Sequence, residues 1–175
     1  MWESNIANLL TKYTIRDSVA LDIGQYIGTH TLVLSDAVGN RGKVYGFEPQ
    51  RFAHKSILKT LKQNNIKNVV CYNSGLSDKK DKIKFCSDNT GGSKICNKNY
   101  DYYINVDKLD NYNIKNISCM KVDIEEHELH FLKGAINTIK QSKPVIIIEI
   151  LNKCKDRNDI LKLLKKYGYN IKRLY

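Results

Sequence analysis

The sequence predicts an α/β protein: a mostly parallel sheet with helices on both faces, three layers in all, and a β-hairpin inserted after the third strand. Three observations carry this. Short apolar runs of strand length alternate with stretches of helical spacing over the first 78 residues. Several of these runs end in an acid, as at Asp22, Glu48, Asp78, Asp123 and Glu149. The alternation breaks once, over residues 79–117, where no helix fits. A chain of 175 residues suits one domain with one core, so residues 1–175 are read as one unit and 79–117 as an insertion over its ligand edge.

Residues 2–13 place Ile6, Leu9, Leu10 and Tyr13 at helical spacing. Val19, Ala20, Leu21 and Ile23 then form a buried strand, which runs into Gly24-Gln25-Tyr26-Ile27-Gly28 and a helix carrying Leu32, Val33 and Ala37. Gly39-Asn40-Arg41-Gly42 is a turn and residues 43–47 a second strand. Pro49 opens a helix with Phe52, Ile57, Leu58 and Leu61 inward, stopping at Asn64-Asn65. Residues 69–76 read as a third strand ending in Ser77-Asp78, so right-handed crossovers and a parallel sheet follow. In the insertion, residues 82–86 and 102–106 pair as a hairpin around the polar loop 88–93. Regular structure resumes with a strand at 118–123 and a helix at 126–140 with Leu129, Leu132, Ala135 and Ile136 inward. Residues 145–150 read as a strand whose apolar run, 145–148, suits a central position buried on both faces. Ile160, Leu163, Leu164 and Tyr167 mark a last helix stopped by Gly168, and residues 170–174 read as a sixth strand.

Composition narrows the function classes. The longest apolar run, 145–148, is too short to span a bilayer, and the start of the chain lacks the features of a signal peptide. Five widely spaced cysteines without a C-x-x-C pair read as reduced thiols, which favours the cytoplasm over a disulfide scaffold or zinc site. The net charge of +11 attracts anions, nucleic acid among them. Lys59, Lys62, Lys67, Lys79, Lys80, Lys82 and Lys84 are scattered, however, and abundant Lys, Asn, Ile and Tyr fit an AT-biased genome; nucleic-acid binding is the weaker reading.

A strand, a glycine-punctuated turn and a helix start form the unit that holds a nucleotide-like ligand. Gly24 and Gly28 let the backbone turn tightly beside it, and Glu48 closes the next strand where a carboxylate can accept from ribose hydroxyls. Parallel sheets bind ligands beyond their carboxyl strand ends. There Asp22, Glu48, Ser77-Asp78, Asp123 with Glu125, and Glu149 converge. Asp123-Ile-Glu-Glu-His-Glu128 is the densest ionisable cluster, with His127 among carboxylates as a candidate base. Glu126 and Glu128 read as a solvated helix start. His127 and His130 are three apart, one short of the zinc-helix spacing, and no Lys-Ser/Thr pair follows Gly91-Gly92 as a phosphate loop would need.

Leu21-Asp-Ile-Gly-Gln-Tyr-Ile-Gly28, Tyr45-Gly-Phe-Glu-Pro49, Leu109-Asp110, Lys121-Val-Asp-Ile-Glu-Glu-His-Glu128, Leu132-Lys-Gly134 and Pro144-Val-Ile-Ile-Ile-Glu-Ile150 together resemble FkbM-type methyltransferases, over roughly residues 15–150. The resemblance implies a class I methyltransferase fold, Rossmann-like, using S-adenosylmethionine to O-methylate a hydroxyl on a sugar, nucleotide-sugar or other small polar acceptor. By position, Asp22, Gly24, Gln25, Tyr26, Gly28 and Thr29 would wrap the methionine part, Glu48 and Pro49 the ribose, and Ser77 and Asp78 the adenine. Asp123, Glu125 and Glu149 would face the acceptor, with Asp123 or His127 as base and Glu125 or Glu149 orienting it. Mg²⁺ on these acids is chemically allowed and not demanded by any spacing. Tyr100, Tyr102 and Tyr103 are expected to leave at least one ring exposed beside the cofactor edge, as acceptor wall. Two departures stand out: Gln25-Tyr26 where the family usually has Ala-Asn, and Glu126 where it usually has Gly. They keep open a protein that holds the cofactor without turnover, while the net charge keeps open an RNA-binding methyltransferase.

Overall fold

β1 (Val19–Ile23) is the centre of a five-stranded parallel sheet, and the rest of the chain is arranged around it. The structure, a computed structural model, describes residues 4–88, 92–96 and 98–174. The expected helix residues 2–3, residues 89–91 of the polar loop and Tyr175 lie outside them. β2 (Lys43–Phe47) flanks β1 on one side and β8 (Ile117–Val122) on the other, giving the order β3-β2-β1-β8-β9 with β3 (Val69–Tyr72) and β9 (Val145–Ile148). Ala20, Leu21 and Ile23 are buried on both faces of β1, and Asp22 is buried with them as its one polar residue. On one face Ile6 and Leu10 of α1 (Ser4–Tyr13) and Leu34 and Val38 of α2 (Thr29–Val38) pack on Ala20, Val44 and Cys119. On the other, Phe131, Leu132, Ile139 and Ile160 pack on Leu21, Ile23, Phe47, Met120 and Val122.

Several elements depart from the sequence expectation, each for a tertiary reason. The third strand breaks at Asn73 and Ser74. Asn73 Nδ2 donates to the Glu48 and Pro49 carbonyls, and β4 (Gly75–Leu76) leaves the sheet to pair in parallel with β7 (Tyr102–Asp107). β7 also pairs antiparallel with β5 (Asp81–Cys86), as the hairpin reading expected. With β6 (Lys94–Ile95) these strands make a second sheet, β4-β7-β5-β6. A 3₁₀ turn, Leu109–Tyr112, leads back to β8.

The helix expected over 126–140 starts later and splits. Glu125 and Glu126 are left-handed (φ 53° and 71°), so α4 is Glu128–Gly134. Asp110 then accepts the backbone N–H groups of Asn137 and Thr138 and the Thr138 hydroxyl, opening α5 (Ile136–Ser142). α3 (Arg51–Gln63) buries Ala53, Ile57 and Leu61, a strict i, i+4 stripe that turns Phe52 and Leu58 out to solvent. β9 lies at the sheet edge rather than its centre, with Val145 exposed, and residues 170–174 after α6 (Arg157–Lys166) form no strand. Cys86 and Cys96 are disulfide-bonded across the second sheet, which corrects the reading of five reduced thiols and removes its support for the cytoplasm. Among the described residues no helix is long and apolar enough to cross a membrane.

Candidate active site

The turn after β1 depends on two glycines. Gly24 has φ +79°, and a Cβ there would sit 1.7 Å from the Asp123 carbonyl oxygen, so the ends of β1 and β8 approach through it. Gly28 has φ +91°, and a Cβ would meet Ile57 Cδ1 at 2.0 Å. The Gly24 and Gln25 N–H groups both donate to the Phe47 carbonyl, binding the turn to β2. Beneath the turn, Asp22 is fully buried. Its Oδ2 accepts from Thr31 Oγ1 at 2.6 Å, and Thr31 accepts from Gln25 Nε2 at 2.8 Å. Lys121, itself 7% exposed, donates to the Gly24 carbonyl and to Asp123 Oδ2, both at 3.1 Å, and its Nζ lies 3.9 Å from Asp22 Oδ1. Burial pushes the Asp22 carboxyl up, against the opposing pull of Lys121 and Thr31. Sequence reasoning passed over Lys121; the signal was a lysine between Met120 and Val122 in a strand otherwise buried.

Glu48 closes β2, with both oxygens already engaged. Oε2 accepts the Tyr26 N–H and Oε1 the Gln50 N–H, each at 2.7 Å, so one carboxylate braces the glycine turn and the start of α3 together. Each oxygen keeps a second lone pair for a hydroxyl. Burial, outweighing those two bonds, pushes Glu48 up to about 7.

These groups open onto one cleft of about 300 Å³. Gly24, Gln25, Tyr26, Gly28, Thr29, Glu48 and Pro49 line its end at the glycine turn, and Asp123, Glu125, His127 and Glu149 line the end formed by β8 and β9. Leu76, Phe85, Ile104 and Val106 of the second sheet give it an apolar wall. Asp22 lies beneath the cleft and outside its wall, and Ser77 and Asp78 lie behind His127 rather than in the wall. The tyrosines also sit elsewhere. Tyr100 and Tyr103 are exposed, ring against ring at 5.0 Å, while Tyr102 packs on Phe85; none lines the cleft. Burial raises Glu125, with the Asp123 charge adding to it. Glu126 turns away to Lys153 at 3.5 Å. Glu128, expected in solvent, is 2% exposed, and its Oε1 accepts the Ile124 N–H. Among the described residues no three His, Cys, Asp or Glu side chains gather as metal ligands would.

Comparison with known proteins bears on the family and the fold. Hexuronic acid methyltransferase AglP of Haloferax volcanii is 29% identical over 178 residues, covering 94% of this chain and 68% of that protein. The crystal structure of methyltransferase FkbM from Methylobacillus flagellatus superposes with a TM-score of 0.67 at 21% identity, over 86% of this chain. The chain spans only 38% of that structure's length. A putative methyltransferase from Streptococcus mutans in complex with SAH gives a TM-score of 0.56 at 18% identity, covering 93% of this chain and 80% of that one. At those identities the two structures show a shared class I methyltransferase fold. The Methyltransferase FkbM domain family matches residues 22–171, most of the chain, and this protein belongs to that family.

Proposed function

We propose that the chain is an S-adenosylmethionine-dependent O-methyltransferase domain acting on a hydroxyl of a sugar, nucleotide-sugar or similarly small polar acceptor. The observation that carries this is one cleft walled by the glycine turn, by Glu48 and, at its other end, by Asp123, Glu125, His127 and Glu149. The residues fit the cofactor. Gly24 and Gly28 let the turn that lines the cleft lie tight against β8 and α3, and Glu48 keeps lone pairs for both ribose hydroxyls. When bound, the cofactor supplies an electrophilic methyl group on a sulfonium. The chain's residues do the rest. The Gly24–Gly28 turn holds the methionine part, Asp123, Glu125 and Glu149 hold the acceptor, and a neutral His127 or Asp123 takes its proton.

The sugar class rests on the relative that acts on a hexuronic acid, together with Lys94 in the cleft wall, a cation suited to an anionic sugar. We keep the cytoplasm as the compartment on the cofactor reading alone, since the Cys86–Cys96 disulfide lends it no support; cell fractionation checks it. Methyl transfer from labelled S-adenosylmethionine to a panel of uronic acids and sugar nucleotides, with and without chelator, tests the reading and its metal-dependent version. A base-stable ether product supports a hydroxyl acceptor; a base-labile ester would move the reaction to a carboxylate. Calorimetry that finds NAD binding, but neither S-adenosylmethionine nor its demethylated product, would refute the cofactor. RNA that binds with a steep salt dependence and competes with sugars would replace the sugar reading.

A further inference from the structure

His127 lines the cleft, yet its Nε2 points away from it, to Ser77 Oγ at 3.0 Å. Ser77 is 4% exposed and outside the wall, and its hydroxyl donates to Asp78 Oδ1 at 3.3 Å. The other Asp78 oxygen, Oδ2, pairs with His130 Nδ1 at 3.1 Å. The His130 ring stacks on His127, centroids 4.6 Å apart and planes within 10°. Four side chains from two segments thus form a polar cluster directly behind the acid end of the cleft.

A hydroxyl has one proton. If Ser77 gives it to Asp78, its oxygen can only accept from His127, which puts the imidazole proton on Nε2 and leaves the Nδ1 lone pair unused. We propose that Ser77 and Asp78 are positioning residues that hold His127 as its Nε2–H tautomer, so that Nδ1 receives the proton of the acceptor hydroxyl. This rests on the hydroxyl-acceptor reading above and assigns Ser77 and Asp78 to the base rather than to adenine. In the step, the acceptor oxygen bonds the methyl carbon as the carbon–sulfur bond breaks, its electron pair staying on sulfur. The hydroxyl proton moves to His127 Nδ1, and the imidazolium later loses it to solvent.

Burial, helped by the His130 charge, pushes His127 down to about 4, so the ring stands neutral and ready at neutral pH. So weak a base suffices, because the hydroxyl proton becomes strongly acidic as its oxygen takes on the methyl group. Burial works against the Asp78 charge, but His130 and Ser77 hold that carboxyl below its ordinary range, keeping an anion two hydrogen bonds from the forming imidazolium.

Long-range ¹⁵N–¹H spectra of the full chain at pH 7 read the tautomer directly. There are four histidines, and H127N identifies the signal. The expected result is a protonated Nε2 and a bare Nδ1 on His127, lost to a tautomer mixture in S77A and D78N and kept in S77T. With S-adenosylmethionine and p-nitrophenyl β-D-glucuronide as probe, S77A should lower kcat about 10-fold at little change in KM, with S77T restoring it. H127N should lose roughly 10²-fold or more, the range of a positioned base. An Nδ1–H tautomer, a charged His127 at pH 7, or an unchanged kcat in H127N would overturn the proposal. The expected tautomer without methylation of any sugar hydroxyl would support the positioning and refute the acceptor reading instead.

Discussion

If Glu48 holds a ribose, cofactor binding must release a proton near neutral pH. The carboxyl sits at about 7 against an ordinary 4.5, a gap worth about 3 kcal/mol, because burial outweighs its two backbone hydrogen bonds. The folded, unliganded protein therefore favours the protonated form. This group's contribution to stability is fully present below pH about 4.5 and falls away as pH rises through about 7. Ribose hydroxyls donate to the ionised form, so binding drives Glu48 back toward the carboxylate. At pH 6 roughly nine-tenths of the free protein carries that proton, and binding should expel close to one. Affinity should be level above pH about 7.5 and weaken up to tenfold per pH unit below 7. Calorimetry with S-adenosylhomocysteine in two buffers of different ionisation enthalpy counts the proton. E48Q should abolish this linkage, leaving only the ligand's own, and weaken binding by about 1–3 kcal/mol. Wild-type binding with the same proton count as E48Q, or binding that tightens on acidification, would refute the ribose role.

Four further changes test the scaffold. G24A places a Cβ 1.7 Å from the Asp123 carbonyl at φ +79°, so thermal melts should show a loss of ~3 kcal/mol or more, with no detectable cofactor binding. K121M leaves Asp22 and Asp123 without their shared ammonium; denaturant titration at pH 8 should show a loss of about 3–5 kcal/mol. That loss should shrink as the pH is lowered, because burial already favours the protonated Asp22. E126G and Y26N relieve left-handed backbone at φ 71° and 47° and should each leave stability unchanged or raise it by up to about 1 kcal/mol, read from the same titrations.

How much of this could be read from the residues depended on how local the determining force is. β1 and β2 appear with the bounds the sequence suggests, since a short apolar run between a turn and a glycine carries its own start and stop. The third strand does not, because its break is set by Asn73 reaching carbonyls on the loop after β2. The split between α4 and α5 has the same origin: Asp110, distant in sequence, captures the N–H groups that would otherwise extend one helix. For β9, an all-apolar run fits an edge strand next to a covering helix as well as a central strand, and periodicity carries no information on spatial order. The Cys86–Cys96 pair becomes visible only once β5 and β6 are adjacent. Of the residues singled out from the sequence, those on the turn and at the ends of β2, β8 and β9 lie together along the cleft, whereas Asp22, Ser77 and Asp78 do not. Lys121, a cleft-wall residue held between Asp22 and Asp123, and the Ser77–Asp78–His130 cluster behind His127 required the fold.

The two departures from the family pattern have one physical explanation, and it bears on whether the cleft is usable. Tyr26 stands where the family usually has Asn, and Glu126 where it usually has Gly; both positions are left-handed. Asn and Gly are the residues that tolerate this region with least strain. The family residues therefore answer a backbone requirement at these two points, and this chain meets it at some cost, estimated at about 1 kcal/mol each. Neither departure consumes the space where chemistry would occur. Glu126 is exposed, turned toward Lys153 and absent from the cleft wall, so it does not block the acceptor end. Tyr26 does line the cleft, but its backbone N–H still reaches Glu48 at 2.7 Å, and about 300 Å³ stays open beside it. Gln25, the other half of the first departure, is 3% exposed and folded inward onto Thr31 and Cys71. The strain at Tyr26 lies in the wall of the site, where it is tolerated because Glu48 and Lys121 hold the turn from two sides, and the strain at Glu126 lies outside that wall. That arrangement supports an active enzyme over a protein that merely retains the cofactor.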